Sequence, residues 1–358
     1  SSLVFLVSDD GTNVIKYLGS KRTLLPTILD LVDGLGSAQG DVGRPKSVLD
    51  LFSGTSRVGH ALKNQGFRVI SNDHNHYAWM LACCYVAADL EDVEEDAKRL
   101  IREFNGMKGQ PGYFTETFCE KSRFFKPKNG ARIDAIRDSI AAKGLPPELE
   151  AVLLVSLMEA SDRVDSTTGV QMAYLKSWAD RANKDLELRL PAVLSRAANG
   201  KGEAHRLDAQ RAASTLRADV VYIDPPYNQH KYLGNYHIWE TLVRWDAPEV
   251  YGVACKRVDC RDRQSPFNSR PRFLQAFRSL IETLDTKHLI VSFNNEGFLE
   301  RPDAEEILGA RGTVTVVERD YPRYVGAQIG IYNPKGEVVG KVSHTRNREL
   351  LYVVSVGQ

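Results

Sequence analysis

The sequence has few cysteines, and none stand at the spacing that zinc sites and disulfide frameworks use. Its five thiols are scattered over 358 residues without a Cys-x-x-Cys pair. An odd, scattered set argues against a disulfide framework and is typical of a reducing cytoplasm. Cys255 and Cys260 lie close together, but no His or Cys pair at ligand spacing accompanies them, so the sequence predicts no metal site.

The sequence also lacks an excess of charge and any long apolar run. Lys and Arg total 47 and Asp and Glu total 46, so the net charge of +1 does not indicate a polyanionic partner, although local basic patches are compatible with one. No apolar stretch reaches transmembrane length and no charged-then-apolar leader is visible, so we expect a cytoplasmic protein without a membrane partner. The length allows two or three domains.

The most informative stretch that is present is an apolar run ending in Asp224-Pro225-Pro226-Tyr227. Residues 220–223 are β-branched or aromatic, as in a buried strand of a parallel sheet. Neither proline donates a ladder hydrogen bond and each restricts the residue before it, so the strand stops there. Asp224 and Tyr227 are therefore held at the carboxyl end of a strand, where open α/β sheets place their ligand sites. The alternative is a strand followed by an ordinary proline-rich turn.

A second pattern lies earlier in the chain and consists of a strand, a small-residue turn, a helix, a strand and an acid. The strands are predicted at 47–52 and 68–72, the turn at 53–59, and the acid is Asp73. Glycines let a backbone approach its ligand, and a carboxylate accepts both ribose hydroxyl hydrogens, which favours an adenosine-containing ligand. Ser56 replaces the middle glycine of the dinucleotide fingerprint, so S-adenosylmethionine fits better than NAD. A ligand-free doubly wound domain is the alternative.

Residues 105–201 differ in pattern from the sequence on either side. Positive charge is concentrated among aromatic residues at 121–130, followed by apolar residues at helical spacing. We predict a helical insert, with helices at 149–160 and 170–190 among others. The basic, aromatic beginning suits a phosphate backbone and unstacked bases, whereas a solvated cationic face on a structural insert is the alternative.

After the insert the sheet pattern resumes. A short segment ends in Asp208, a helix follows to residue 216, and the Asp224 strand comes next. Residues 246–272 carry many arginines and few apolar positions, which predicts a mobile basic loop over the site. Arg and Lys side chains in 121–137 and 256–272 are expected to contact phosphates. The β-rich tail predicts an antiparallel edge of the sheet.

Six blocks of sequence, in this order, resemble the Dam-like class of adenine-specific DNA methyltransferases, and most of all the type II restriction-modification branch that includes the FokI methylase. The resemblance covers nearly the whole chain. The blocks are Tyr17–Arg22, Asp50–Gly54, Asn72–Asp73, Asp224–Asn228, Asn235–His237 and Ser292–Gly297. It implies an α/β fold with a Rossmann-like S-adenosylmethionine-dependent methyltransferase sheet and an inserted helical target-recognition domain. The implied organisation is a catalytic domain in two parts, 1–104 and 202–358, with the insert at 105–201.

The resemblance also implies roles for single residues. The loop before the first helix and the turn after the first strand would hold the methionine part of S-adenosylmethionine. The residues concerned are Tyr17, Gly19, Lys21, Arg22, Asp50, Phe52, Ser53 and Gly54. Asp73 would bind the ribose hydroxyls, and Asp208 would accept a hydrogen bond from the adenine amino group of the cofactor. Ser56 stands where many relatives carry glycine.

The partner implied is double-stranded DNA in a prokaryotic cytoplasm, associated with the nucleoid. A cognate restriction endonuclease in the same system is compatible with this, without direct contact. The expected substrate contacts come from the basic segment and from the loop after Tyr227. They are Arg123, Lys126, Lys128, Asn228 and Tyr236.

The chemistry requires a target amino nitrogen whose lone pair is localised and aimed at the methyl carbon. Asp224 and the carbonyl of Pro225 are suited to accept the two amino hydrogens, followed by direct in-line displacement. The base must be flipped out of the duplex, with Tyr227 stacking on it beside Pro226, and Tyr236 or another aromatic residue of the 228–236 loop covering its other face. No covalent intermediate is needed, hence no catalytic cysteine.

Other readings remain open. Cytosine N4 methylation uses the same chemistry, with Ser more often in place of Asp224. RNA or protein amide methylation is a further alternative, and Asn is commoner at this position for a protein amide. A non-catalytic DNA-binding subunit is expected to lose the Asp224 turn or the Gly54 turn, and both are present. A dehydrogenase is disfavoured by Ser56 and by the turn at 224–227.

Overall fold

The computed structural model describes residues 15–16, 21, 23–35, 44–226, 232–262, 265–294, 297–322, 331–332, 338–340 and 346–357. The strands within these ranges begin and end as follows. They are β1 Ser47–Asp50, β2 Arg68–Asn72, β3 Glu203–His205, β4 Val220–Ile223, β5 Val250–Tyr251, β6 Lys256–Arg257, β7 His288–Asn294, β8 Gly312–Pro322, β9 Ile331–Tyr332, β10 Val338–Gly340 and β11 Arg346–Val356.

Seven of these strands form one sheet, in the order β3-β2-β1-β4-β7-β11-β8. The pairs β2/β3, β1/β4 and β4/β7 are parallel, whereas β11 runs antiparallel to both β7 and β8. All four residues of β4 are buried, as its continuous apolar run predicts. The predicted Rossmann-like α/β fold and the predicted antiparallel edge are both confirmed.

The helices within the described ranges begin and end as follows. They are α1 Leu25–Gly34, α2 Arg57–Asn64, α3 His76–Ala82, α4 Leu90–Asn105, α5 Tyr113–Thr115, α6 Pro127–Lys143, α7 Pro147–Asp162, α8 Ala209–Thr215, α9 Tyr232–Asn235, α10 His237–Arg244, α11 Arg270–Thr283 and α12 Arg301–Gly309. A wider π-type turn at Cys83–Ala87 separates α3 from α4. Pro26 lies in the first turn of α1, where a missing N–H costs nothing.

The chain folds into two compact units. Unit 1 comprises Ser1–Ser20, Ser53–Arg206 and Lys231–Arg263, and unit 2 comprises Lys21–Phe52, Leu207–His230 and Gln264–Gln358. The large apolar cluster of unit 1 is built on α3, α4, α6 and α7, and α7 is buried along nearly its whole length. Its core includes Phe124 and Phe125 of the basic segment. Those two rings are therefore structural, while the limits of the recognition insert at 105–201 stay a prediction.

The helix predicted at 170–190 is wrong. The segment is irregular except for a short 3₁₀ turn at Asp180–Asn183. Side-chain amides replace helical hydrogen bonds, because Asn129 bonds the backbone of residues 184 and 186 and Asn105 bonds both backbone groups of Leu188. Leu186 and Leu188 are thereby buried two positions apart, as in an extended chain.

The prediction of a mobile basic loop at 246–272 is wrong for its first half. Strands β5 and β6 form a hairpin, and Arg257 is buried at its base. The Arg257 guanidinium makes two bonds to Asp246, at 2.7 and 2.8 Å, and also contacts Asp259. In unit 1, Arg137 is buried as well and donates to the carbonyls of Leu242 and Val243. Neither arginine is available to a phosphate.

Candidate active site

Asp224 lies where the fold presents ligands, directly after β4. The neighbouring parallel strand β1 ends at Asp50, which is paired with Tyr222 in register. The strand order reverses at this pair of strands, and such switch points open a crevice at the carboxyl ends of a sheet. Pro225 is buried and Pro226 half-buried, so the turn that ends the strand is fixed by packing as well as by proline geometry.

Asp224 belongs to a network of charged groups within unit 2. The Lys21 ammonium lies 3.0 Å from Asp224 Oδ1 and also forms an ion pair with Glu349 of β11. Lys21 Nζ lies 3.1 Å from Ser292 Oγ of β7, and Ser292 in turn donates to Glu349. The side chains of Asp224, Lys21 and Glu349 are 18%, 9% and 1% exposed, respectively. Asp224 is therefore the member of this network that a ligand reaches first.

The surroundings of Asp224 change its acidity. Burial raises the pKa of this carboxyl to about 6, while Lys21 opposes the shift and Glu349 adds to it. At neutral pH the carboxylate is mostly ionised, yet it is more basic than an ordinary aspartate. Such a group is a strong hydrogen-bond acceptor and is suited to hold an amino hydrogen.

Lys21 makes contacts that its predicted role does not include. The resemblance assigns it to the methionine part of a cofactor, whereas its ammonium contacts Asp224, Glu349 and Ser292. The sequence does not single out Glu349, and Ser292 enters only as the first residue of the block Ser292–Gly297, without a role. The available signal was weak and consisted of an acid immediately before the apolar run 350–354 in a strand of the sheet.

Asp73 is held by a separate cluster within unit 1. The backbone N–H groups of Gly54 and Asn75 donate to its two carboxylate oxygens, each at 3.0 Å. Gly54 has φ of +50° and Ser56 has φ of +59°, so the turn after β1 uses the left-handed region twice. Burial raises the pKa of Asp73, whose side chain remains partly exposed. Each carboxylate oxygen keeps a lone pair with which to accept a hydroxyl hydrogen.

Buried polar atoms around this turn indicate that it is built for a polar ligand. Ser53 Oγ, Ser56 Oγ and Asn75 Oδ1 are buried and have no hydrogen-bond partner among the residues described. Leaving such groups unsatisfied costs about 1–3 kcal/mol each. A bound ligand with hydroxyl groups, or the water that it orders, would supply the missing partners.

Glu240 fixes the helix that begins just after Asp73. Its carboxylate is fully buried, lies 2.8 Å from His76 Nδ1 and accepts the backbone N–H of Tyr77 at 3.1 Å. A negative charge at this position also complements the dipole of α3. Glu240 lies on α10 and was missed by the sequence analysis, because nothing local distinguishes it from a surface acid.

The other predicted cofactor residues have varied placements. Asp50 is buried, and the Phe52 ring packs edge-on against Phe267 with centroids 5.2 Å apart. Asp208 is exposed, and its Oδ1 caps α8 by accepting the N–H of Gln210. Five predicted site residues lie outside the described ranges. They are Tyr17, Gly19, Arg22, Tyr227 and Asn228.

The predicted substrate residues in unit 1 divide into two groups. The Arg123 guanidinium and the Lys126 ammonium lie over the Trp178 ring, at 4.9 and 5.4 Å from its centroid. Lys128 instead pairs with Asp185 at 2.6 Å.

Tyr236 is fully buried, and its ring centroid lies 5.8 Å from that of Tyr77. Its predicted place against a flipped base needs correction, because the ring is used in the core of unit 1.

Over the described ranges, no cluster of three or more His, Cys, Asp or Glu side chains is arranged to hold a metal ion. None of the helices there has the length and apolar character needed to span a membrane. All five cysteines are free thiols, and burial raises the pKa of Cys83 to about 12. Thiols of this kind are poor nucleophiles.

Comparison with known proteins identifies a family and several relatives. A family model described as D12 class N6 adenine-specific DNA methyltransferase matches residues 17–299. The chain is 32% identical over 336 residues to the modification methylase StsI of Streptococcus sanguinis, covering 87% of this chain and 49% of that protein. It is 29% identical to the type II methyltransferase M.FokI of Planomicrobium okeanokoites, with 87% and 50% covered. The chain thus spans about half the length of these two relatives.

A third relative is matched almost end to end. The type II methyltransferase M.NlaIII of Neisseria lactamica is 27% identical over 318 residues, which cover 87% of this chain and 92% of that protein.

Proposed function

Because this chain belongs to the D12 class of N6 adenine-specific DNA methyltransferases, we propose that it methylates the exocyclic N6 amino group of adenine at a specific site in double-stranded DNA. The resemblance seen in the sequence is thereby confirmed at the level of the family. The observation that carries the proposal is the pairing of Asp224 with Lys21 at the carboxyl end of β4. This pairing holds the partly exposed carboxylate of Asp224, which is more basic than that of an ordinary aspartate, at the ligand-binding end of the sheet.

Asp224 and the Pro225 carbonyl would act on the target amino group. The nitrogen lone pair of adenine is delocalised into the ring, so the amino group is a poor nucleophile. Two acceptors that bind its two hydrogens favour a tetrahedral nitrogen, with the lone pair free to form the new N–C bond. Asp224, whose pKa is about 6, is also suited to take the proton that the nitrogen loses once that bond has formed.

S-adenosylmethionine is the proposed cofactor. When bound, it would supply a methyl group attached to a sulfonium, whose sulfur leaves as a neutral thioether without further activation. Asp73 would accept the ribose hydroxyl hydrogens, because Gly54 and Asn75 hold its carboxylate in place. Ser53 and Ser56 line the same turn, with buried hydroxyls that lack a partner among the described residues. The proposed roles of Phe52, Asp50 and Asp208 follow from the family resemblance.

The target base would be flipped out of the duplex, at a cost of a few kcal/mol. Stacking on Tyr227 would return roughly 1–3 kcal/mol of this. The proposed DNA contacts are Arg123 and Lys126, whose charges are clustered around Trp178. We place the recognition insert at 105–201 and the protein in the cytoplasm of a prokaryote, with a cognate restriction endonuclease as a candidate member of the same system.

Labelled S-adenosylmethionine tests this proposal directly. Duplexes with adenine but no cytosine on one strand, the reverse duplexes, RNA and a protein substrate are each incubated with the enzyme and assayed for label. We expect label only on DNA strands that contain adenine. Label on cytosine would assign the chain to N4 chemistry, and label on RNA or protein alone would remove DNA as the substrate.

A further inference from the structure

Two carboxylates in unit 2 share a single ammonium group. Lys21 lies between Asp224 and Glu349, so the three side chains carry a net charge of −1 when Asp224 is ionised. Glu349 is more deeply buried than Asp224 and lies in β11, beyond residues 17–299 that match the family. A buried carboxylate is costly unless it is paired and hydrogen-bonded, so its presence at a buried position of β11 calls for a role.

Ser292 fixes the geometry of this network. A hydroxyl has one hydrogen to donate, and Ser292 donates it to Glu349 while accepting from Lys21 at 3.1 Å. Strands β7 and β11 pair antiparallel, with Ser292 opposite Leu351, so Glu349, two residues before Leu351, lies diagonally across from Ser292 on the same face of the sheet. The ammonium is thus held by side chains on two neighbouring strands and also contacts Asp224.

We infer that Glu349 is a positioning residue for methyl transfer, acting through Lys21 to keep Asp224 a strong, oriented acceptor of the target amino hydrogen. This inference rests on the function proposed above. By taking up part of the Lys21 charge, Glu349 prevents Lys21 from neutralising Asp224. The net negative charge that remains complements the positive charge that passes from the methyl donor to the amino nitrogen during transfer.

Removing Glu349 and removing Lys21 have opposite effects on the pKa of Asp224. Without Glu349, Lys21 binds Asp224 alone, and the pKa of Asp224 falls. Without Lys21, Asp224 and Glu349 face each other without a cation, and the pKa of Asp224 rises. Among the described residues, Asp50 and the buried phenol of Tyr222 also lie nearby, and burial holds the pKa of Tyr222 well above its usual value, so the phenol stays neutral over the pH range of the comparison. A merely structural role for Glu349 predicts no such pair of opposite shifts.

The test compares Glu349→Gln, Lys21→Met and the double variant with the parent protein. Two quantities are measured, the pKa of Asp224 by carboxyl ¹³C NMR without cofactor and the pH profile of single-turnover methyl transfer. We expect Glu349→Gln to lower the Asp224 pKa by about one unit, a tenfold change in its protonation equilibrium, and to lower the rate at neutral pH by on the order of 10-fold. Lys21→Met raises that pKa, and the double variant lies between the two.

Asp219→Asn is the matched control. Asp219 precedes β4 at its other end and accepts the backbone N–H groups of Lys46 and Ser47, so its loss affects stability without reaching Asp224. Should Glu349→Gln fail to fold, Ser292→Ala removes only the bridging hydroxyl and is expected to shift the pKa in the same direction by less.

An unchanged Asp224 pKa and pH profile in Glu349→Gln, in an active protein, would overturn the inference and leave the proposed function intact. Absence of methyl transfer by the parent protein would overturn the proposed function, while the NMR titration would still report the coupling between the three charges.

Discussion

The backbone N–H of Gly54 donates to Asp73 Oδ2 at 3.0 Å, so the turn after β1 and the acid after β2 hold each other in place. Gly54 adopts φ of +50°, which directs its N–H at the carboxylate with little steric cost. The arrangement leaves the carboxylate oriented before any ligand binds, which reduces the entropy that binding must overcome.

Asp73→Ala is expected to weaken S-adenosylmethionine binding first. Hydrogen bonds to a charged group contribute about 1.5–3 kcal/mol, so the Kd should rise by roughly 10- to 100-fold. Isothermal titration calorimetry measures it, with Asp92→Ala on the exposed face of α4 as the control. An unchanged Kd would remove Asp73 from the ribose.

Glu240→Ala is expected to destabilise unit 1, because the backbone N–H of Tyr77 and the His76 ring lose a buried acceptor. The free energy of unfolding should fall by about 1–3 kcal/mol or more. Urea unfolding followed by circular dichroism measures it. Glu94→Ala removes an exposed acid paired with Lys98 and should change stability by less than about 1 kcal/mol. Equal effects of the two substitutions would contradict the account of Glu240.

Arg123→Ala should weaken DNA binding more than Lys128→Ala. Among the described residues Arg123 and Lys126 form no salt bridge, whereas Lys128 already pairs with Asp185, so only the first two carry charge that is free to replace counterions. Fluorescence anisotropy between about 50 and 200 mM salt should show a steep salt dependence, reduced by nearly one unit of log–log slope in Arg123→Ala. A flat response in the parent protein would count against DNA as the partner.

The rate of methyl transfer should fall as the pH is lowered through about 6. The pKa of Asp224 is raised to about 6, chiefly by burial, and the protonated acid no longer accepts an amino hydrogen through both oxygens. The rate therefore rises with pH across this value and levels off near neutrality. Single-turnover rates between pH 5 and 8, with circular dichroism to verify folding, measure it. A rate that is constant or that decreases with rising pH would separate Asp224 from the chemistry.

The parts of the site that the sequence predicts are those built from local pattern. Residues 220–223 form a strand because they are apolar and β-branched or aromatic, and the two prolines place Asp224 at its end. Asp73 follows β2 for the same kind of reason. Ser56, noted as a departure from glycine, adopts a left-handed φ of +59°, which explains why glycine suits that position.

The parts that the sequence does not predict depend on partners distant along the chain. The contact of Lys21 with Glu349 requires the register of β11 against β7, which no local pattern specifies. Asn105 and Asn129 hold an extended segment where apolar spacing favours a helix, because side-chain amides offer its backbone another set of hydrogen bonds. The sequence predicts Tyr236 against the base because it follows the Asp224 loop, but its ring packs in the core of unit 1.

Asp224→Ala tests the central claim most directly. Duplex DNA is incubated with S-adenosylmethionine and either the parent protein or the variant, and the nucleosides are identified by mass spectrometry, with cofactor binding measured in parallel. The account predicts N6-methyladenine from the parent protein, a rate lower by at least about 10²–10³-fold in Asp224→Ala, and cofactor affinity within a few-fold of the parent value. Near-normal methylation by Asp224→Ala, or N4-methylcytosine as the product of the parent protein, would contradict it.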